Sequence, residues 1–271
     1  MTYTNFALRS ALLSFALIVL GGCSTLVQVP QSAESVAPRA TLAEAEQGYA
    51  RVLQRHVNDR GEVDFAGLRD DTSDSGIRAL ERYLTAIAAT PLDAPPTANA
   101  RLAHLINSYN AMSMYNVIAS GIPPSHDGLA KVKFFVLRKF DIGGVARSLY
   151  AFENDVIRKL NDPRIHFALN CSAVSCPVLP RIPFRAEDLD AALDRETRNF
   201  FARAENLRID DASRTVFFNE ILSFYTEDFV PAHASNLIAY AQRYVTRVIP
   251  PEYNTAFTRY DWTIANSRRT R

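Results

Sequence analysis

The chain has 271 residues, 48% hydrophobic and 22% charged, with 30 Lys and Arg against 29 Asp and Glu, a formal net charge of +1. So balanced a charge offers no attraction for nucleic acid or for an anionic membrane surface. The sequence lacks a Gly-rich phosphate loop, a Gly-x-Ser-x-Gly elbow and a His-Glu-x-x-His helix, so it calls for no cofactor.

Residues 1–22 read as a lipoprotein signal peptide. Arg9 gives a positive n-region, and residues 11–20 are apolar apart from Ser14. That run is too short for a spanning helix, which needs roughly 20 residues, and it fits a secretory h-region. Leu20-Gly21-Gly22-Cys23 resembles a bacterial lipobox, in which Cys23 takes the lipid; the alternative is an ordinary secreted protein cleaved near Gly22. Ser24, rather than Asp, follows Cys23, a pattern that resembles outer-membrane sorting. The expected location is therefore the periplasmic face of the outer membrane, with the membrane as partner through the N-terminal lipid. More than one acyl chain, at about 0.8 kcal/mol per buried methylene, makes such anchoring stable. Residues 23–40, rich in Ser, Pro, Ala, Gln and Val, read as a flexible tether. Residues 41–271 read as a single domain, long enough for a real core.

Residues 43–57 have the apolar spacing of an amphipathic helix, with Tyr49, Val52, Leu53 and His56 on one face. Ser75 is placed to cap a second helix over 77–89, which Pro91 stops. Thr97 starts a third helix that runs to about Ser120; its apolar residues cover most of its circumference, so it reads as central. His126 falls in the following loop and reads as exposed. Residues 132–137 and 140–145 read as strands, with Gly143-Gly144 as a turn or bulge, and Ser148 caps a helix through Leu160. Residues 164–169 read as a short buried strand and 186–204 as a helix. Residues 207–209 and 216–218 flank a turn-rich segment and read as a hairpin. Helices follow over 220–229 and 232–245, and Tyr260-Asp261-Trp262 reads as an edge strand. The terminal arginines read as a frayed tail. The sum is an α+β domain, a helical majority around a small, mostly antiparallel sheet.

The chemistry concentrates in two places. Asn107 and Asn110 share a face of the central helix, where a buried amide without a partner costs a few kcal/mol. Either they satisfy neighbouring loop backbone, or they position a substrate amide or an imidazole. His166, Cys171 and Cys176 lie within one short stretch. An imidazole beside a thiol is the usual way to make a thiolate. Yet Cys171 lies at an odd offset from His166, so on a straight strand they would face apart. Cys171 and Cys176 can equally close a disulfide, which an oxidising compartment favours and which by chain entropy contributes roughly 2 kcal/mol. Zinc would want a further Cys or His pair, and the spacing supplies none, so no metal is expected. Glu153 and the carboxylates of 225–229 are available to orient an imidazole.

Leu105-Ile106-Asn107-Ser108-Tyr109-Asn110-Ala111, residues 162–171, Ser175-Cys176-Pro177, Phe224-Tyr225 with Asp228-Phe229, and Tyr260-Asp261-Trp262 together resemble the domain of unknown function 547 family. The resemblance spans about 49–266. Leu105 stands where the family often has an aromatic, and Glu153 follows a changed spacer. The resemblance implies an exported bacterial protein without an agreed activity; eukaryotic members joined to glutaredoxin-like segments hint at thiol chemistry by association alone.

Two functions remain open at this level. One is a thiol-dependent hydrolase or acyl or amide transferase, with Cys171 as nucleophile, His166 as base, and Asn107, Asn110 or Glu153 orienting the imidazole or holding an oxyanion. The other is a non-catalytic binding or scaffold module for a small molecule or peptide, stapled by Cys171–Cys176.

Overall fold

A computed structural model describes residues 24–30 and 40–268. The signal-peptide segment and Cys23 lie outside the described residues.

Strand β1 (Thr25–Leu26) precedes helix α1 (Leu42–His56), whose Thr41 and Glu44 form a reciprocal capping box. Short α2 (Phe65–Asp70) and α3 (Ile77–Ala89) follow. Tyr49 of α1 and Tyr83 of α3 stack with ring centroids 4.8 Å apart, fixing that helix pair. Helix α4 (Ala98–Ala119) is capped by Thr97 as expected and is buried continuously from Leu102 to Val117. Each fully buried Leu or Ile of this helix contributes about 1.5–3 kcal/mol of transfer free energy. Among the described residues no helix is long and apolar enough to cross a membrane.

Helix α5 (Leu129–Val132) runs into a π-helical turn, Lys133–Leu137, where the sequence suggested a strand. The short apolar run there has no period of its own, and helical winding lets Phe134 reach the core while Val136 stays exposed. Strands β2 (Arg138–Ile142) and β3 (Val145–Ser148) pair antiparallel across Gly143-Gly144. Ser148 caps α6 (Leu149–Phe152), which continues as a π-helical turn, Glu153–Ile157, and a 3-10 turn, Arg158–Leu160.

Helix α7 (Leu189–Phe201) leads to β4 (Leu207–Asp210) and β5 (Thr215–Asn219), the expected hairpin. Then come α8 (Ile221–Phe224), α9 (Thr226–Phe229), α10 (Leu237–Gln242) and β6 (Asn254–Thr258). The C-terminal strand is thus β6, not Tyr260-Asp261-Trp262; beyond it Thr263 and Ile264 make single bridges to Ser125 and Ala173. Arg268 is paired with Asp64 rather than frayed.

The α+β class holds, with a helical majority, and the strands among the described residues form two small sheets rather than one. Both are mixed, β1-β2-β3 and β4-β5-β6, with β1–β2 and β5–β6 parallel. Residues 24–30 fall within the stretch read as a tether, yet they are docked. Val27 N–H donates to Lys139 O at 2.8 Å, and Val27 and Val29 pack on the core.

The core has two parts. One lies among α1, α3, α4 and the first sheet; the other is an aromatic cluster under the second sheet. The segment 163–169 joins them: Ile165 and Leu169 pack into the first, Phe167 into the second. It is a 3-10 helix, Pro163–Phe167, not the expected strand. Asp162 caps it by accepting from Arg164 N–H, and Pro163 occupies the first helical turn. Asp-Pro therefore marks a helix start here rather than a strand boundary.

Candidate functional site

The asparagines of α4 act as backbone clamps. Asn107 Oδ1 accepts from Phe184 N–H at 2.9 Å, and its Nδ2 donates to Phe184 O at 2.8 Å and to Glu46 Oε1 at 2.9 Å. Burial raises the Glu46 carboxyl pKa, against the hydrogen bond from Asn107. Asn110 Oδ1 accepts from Asn170 N–H at 2.7 Å, and its Nδ2 donates to Ala168 O at 3.0 Å. A primary amide presents one acceptor and two donors, so it can replace a missing strand partner for a loop. The loop-satisfying reading of these residues is the one their contacts support.

Asn110 fixes the chain just before Cys171. Asn170 continues the turn, donating to Pro177 O at 2.7 Å and accepting from Ser172 N–H at 2.8 Å. Ser172 itself has φ +65°, a left-handed position for a non-glycine residue. This turn brings Cys171 and Cys176 together, and their sulfurs are bonded. Both are almost completely buried in the aromatic cluster. The Tyr260 hydroxyl donates to Cys176 Sγ at 3.0 Å and lies 3.5 Å from Cys171 Sγ. A sulfur in a disulfide has no thiolate form, so in this state Cys171 is not the nucleophile of the hydrolase reading.

His126 is buried, not exposed as its loop position suggested. Its Nε2 is 3.0 Å from Cys171 O, and its ring lies 4.0 Å from that of Phe134. Burial, offset only partly by the Cys171 carbonyl, pushes its pKa down to about 4.

His166, on the 3-10 turn, engages a carboxylate. Its Nε2 lies 2.6 Å from Asp228 Oδ2, and its ring stacks on Tyr225 at 4.1 Å. Asp228 is also gripped by Arg158, Nε to Oδ2 at 2.6 Å and Nη2 to Oδ1 at 2.7 Å, a bidentate fork. Burial alone would raise the Asp228 carboxyl pKa, but the bonds from His166 and Arg158 outweigh it and hold it well below the usual carboxylate range. Arg158 extends to the exposed Glu227 at 2.6 Å. A carboxylate orienting an imidazole is what the 225–229 stretch offered. Arg158 carried no signal in the sequence.

Glu153 is buried in the π-helical turn, within hydrogen-bond reach of the Tyr109 and Tyr225 hydroxyls. Burial first, and the Glu153 charge second, push the phenol pKa values of Tyr109, Tyr225 and Tyr260 up. These phenols therefore stay protonated and can donate to the Glu153 side chain, which gives that buried polar group its partners. π-helical turns of this kind often mark functional sites.

Four of the five expected residues fall into two pairs, His166 with Glu153 and Asn110 with Cys171. Tyr225 touches His166 and Glu153, Tyr260 touches the disulfide, and Asn110 holds the turn leading to Cys171. Asn107 instead serves the Phe184 loop. Among the described residues no group of three or more His, Cys, Asp or Glu could hold a metal ion. None of the five expected residues lines the cavities of about 580 and 230 Å³ formed among the described residues.

No curated protein and no solved structure matches this chain. The family match is narrower than the span of about 49–266 suggested by the resemblance, leaving Tyr225, Asp228 and Tyr260 outside it. Residues 95–201, which carry Asn107, Asn110, Glu153, His166, Cys171 and Cys176, match the model of the family described as a protein of unknown function, DUF547.

Proposed function

We propose that this protein is an exported, lipid-anchored module that binds a small molecule or a peptide at the periplasmic face of the outer membrane, without thiol catalysis. The observation that carries the non-catalytic reading is the bond between Cys171 and Cys176, buried among aromatic rings. A thiol-dependent hydrolase or transferase needs a free Cys171 beside an imidazole. Here that sulfur has a covalent partner, and His166 is committed to Asp228. A disulfide also suits an oxidising compartment. Export and anchoring rest on the sequence: the apolar run 11–20 and the lipobox-like Leu20-Gly21-Gly22-Cys23.

The test is the thiol state and N-terminus of the chain exported to the periplasm and purified without reductant. Alkylation across a pH series, mapped by mass spectrometry, should find a complete Cys171–Cys176 bridge that opens only on unfolding. The first residue should be Cys23 carrying acyl mass. A free Cys171 that alkylates well below the ordinary thiol pKa of about 8.5 would overturn the non-catalytic reading. An unmodified N-terminus would overturn the anchor.

A further inference from the structure

The larger cavity, about 580 Å³, is open and lined mostly by charged and polar side chains, a volume ordinary for small-ligand sites. Its lining carries charges of both signs. Arg164 is held by three carboxylates, Asp162 at 2.7 Å and Asp194 at 2.9 Å within the lining and Asp190 at 2.8 Å outside it. One guanidinium cannot neutralise three carboxylates, so this cluster keeps a surplus of negative charge.

The same lining holds Arg198 and Arg243. Neither forms an ion pair with a carboxylate among the described residues. Asp194 stands one turn before Arg198 on α7, where such a pair would normally form, but it is taken by Arg164. Both guanidinium carbons lie beside the Tyr244 ring, at 5.7 and 5.8 Å from its centroid. Arg243 Nη1 also donates to His233 O at 3.1 Å, which fixes the head group and leaves its other donors free. Two arginine forks on one aromatic platform, without carboxylate partners, form a receptor for a planar oxyanion.

We infer that this cavity binds a zwitterion of the amino acid or short peptide class, its carboxylate held by Arg198 and Arg243 and its ammonium by Asp162 and Asp194. The inference rests on the binding-module reading and gives that module its ligand chemistry. A simple anion would also meet Asp162 and Asp194, and a simple cation would also meet the arginines. Only a ligand with both charges complements both sets together.

The probes are glycine, β-alanine and glycylglycine, which carry the same two charges at increasing separation, titrated into the full chain by calorimetry. At least one should bind saturably. Its N-acetylated and amidated forms, each lacking one charge, should bind about tenfold more weakly or worse. Arg198→Gln and Arg243→Gln, both at exposed positions and so expected to fold, should each weaken binding by a similar factor. Arg69→Gln, on the surface of α2, should leave it unchanged. The free amino acids and the dipeptide distinguish a free metabolite from a peptide terminus as the source.

The absence of saturable binding for all probes up to about 10 mM would overturn the inference, as would equal binding of the single-charge analogues or wild-type affinity in the arginine variants. A complete disulfide with no zwitterion binding sinks this inference alone. A free, reactive Cys171 sinks the non-catalytic reading whatever binds here.

Discussion

His126 donates its Nε2–H to the backbone carbonyl of Cys171 at 3.0 Å, tying the loop after α4 to the disulfide 45 residues along the chain. The contact fixes the tautomer, because a carbonyl oxygen can only accept. It leaves Nδ1 buried without a partner. Protonating that nitrogen would place a charge against Phe134, so the ring stays neutral.

This sets an acid dependence. Burial lowers the folded-state pKa of His126, and likewise of His104, to about 4, below the ordinary imidazole value of about 6.5. Between those values the unfolded chain binds protons that the folded one does not, so stability falls as pH drops from about 6.5 toward 4. Each ring accounts for at most about 3 kcal/mol. Urea unfolding at pH 7 and pH 5 should show the loss, and His126→Gln, which keeps a donor for Cys171 O, should reduce it. An unchanged acid slope in that variant would remove His126 from the account.

Asp228 governs a lower window. Its folded-state pKa is depressed, so its contribution is present above the ordinary carboxylate pKa of about 4 and is lost as pH falls through the folded value. Asp228→Asn leaves Arg158 with only the exposed Glu227 as a charged partner. We expect a loss of about 2–3 kcal/mol at pH 7, below that of a fully buried pair, and a flatter stability profile under pH 4. Denaturant midpoints across pH 2–7 for both proteins would decide it.

The disulfide should behave as a staple. Cys171→Ser and Cys176→Ser should destabilise the fold by nearly equal amounts, about 2 kcal/mol each by the chain-entropy estimate. The double variant should be no worse than either single one. Equilibrium unfolding with and without reductant checks this; unequal losses would mean that one sulfur has a role apart from the bridge.

Asn110→Ala would strip the partners from Asn170 N–H and Ala168 O, both buried. Leaving such groups unpaired costs about 1–3 kcal/mol each. Hydrogen exchange at the Asn170 amide should accelerate far more than exchange at α1. If both report the same global opening as in the wild type, the clamp is not local.

The helices were largely legible because their signals are local. Thr97 caps α4, Ser148 caps α6, and apolar spacing marks α1 and α3. The turn at 163–167 was not, because apolar residues in so short a run fit a strand or a helix equally. Two separate core clusters claim its side chains, and no local pattern reveals that. The asparagines of α4 were legible as buried amides needing partners, but the Phe184 loop and the Cys171 turn that satisfy them lie 58 to 77 residues away. The buried His126 was misread for the same reason: its cover is Phe134 and the Cys171 backbone, set by tertiary packing.

The docking of residues 24–30 changes what an anchor would do. Thr25 and Leu26 are already paired with Arg138 and Lys139. A lipid carried two residues before Thr25 would be tied within roughly 7 Å of that strand, at about 3.3 Å per residue. A lipid there would leave no leash between bilayer and domain. The molecule would ride on the headgroups with the edge of its first sheet lowered and the exposed Leu26 beside the acyl attachment. The anchor would then set the protein's heading on the membrane rather than its reach into the periplasm.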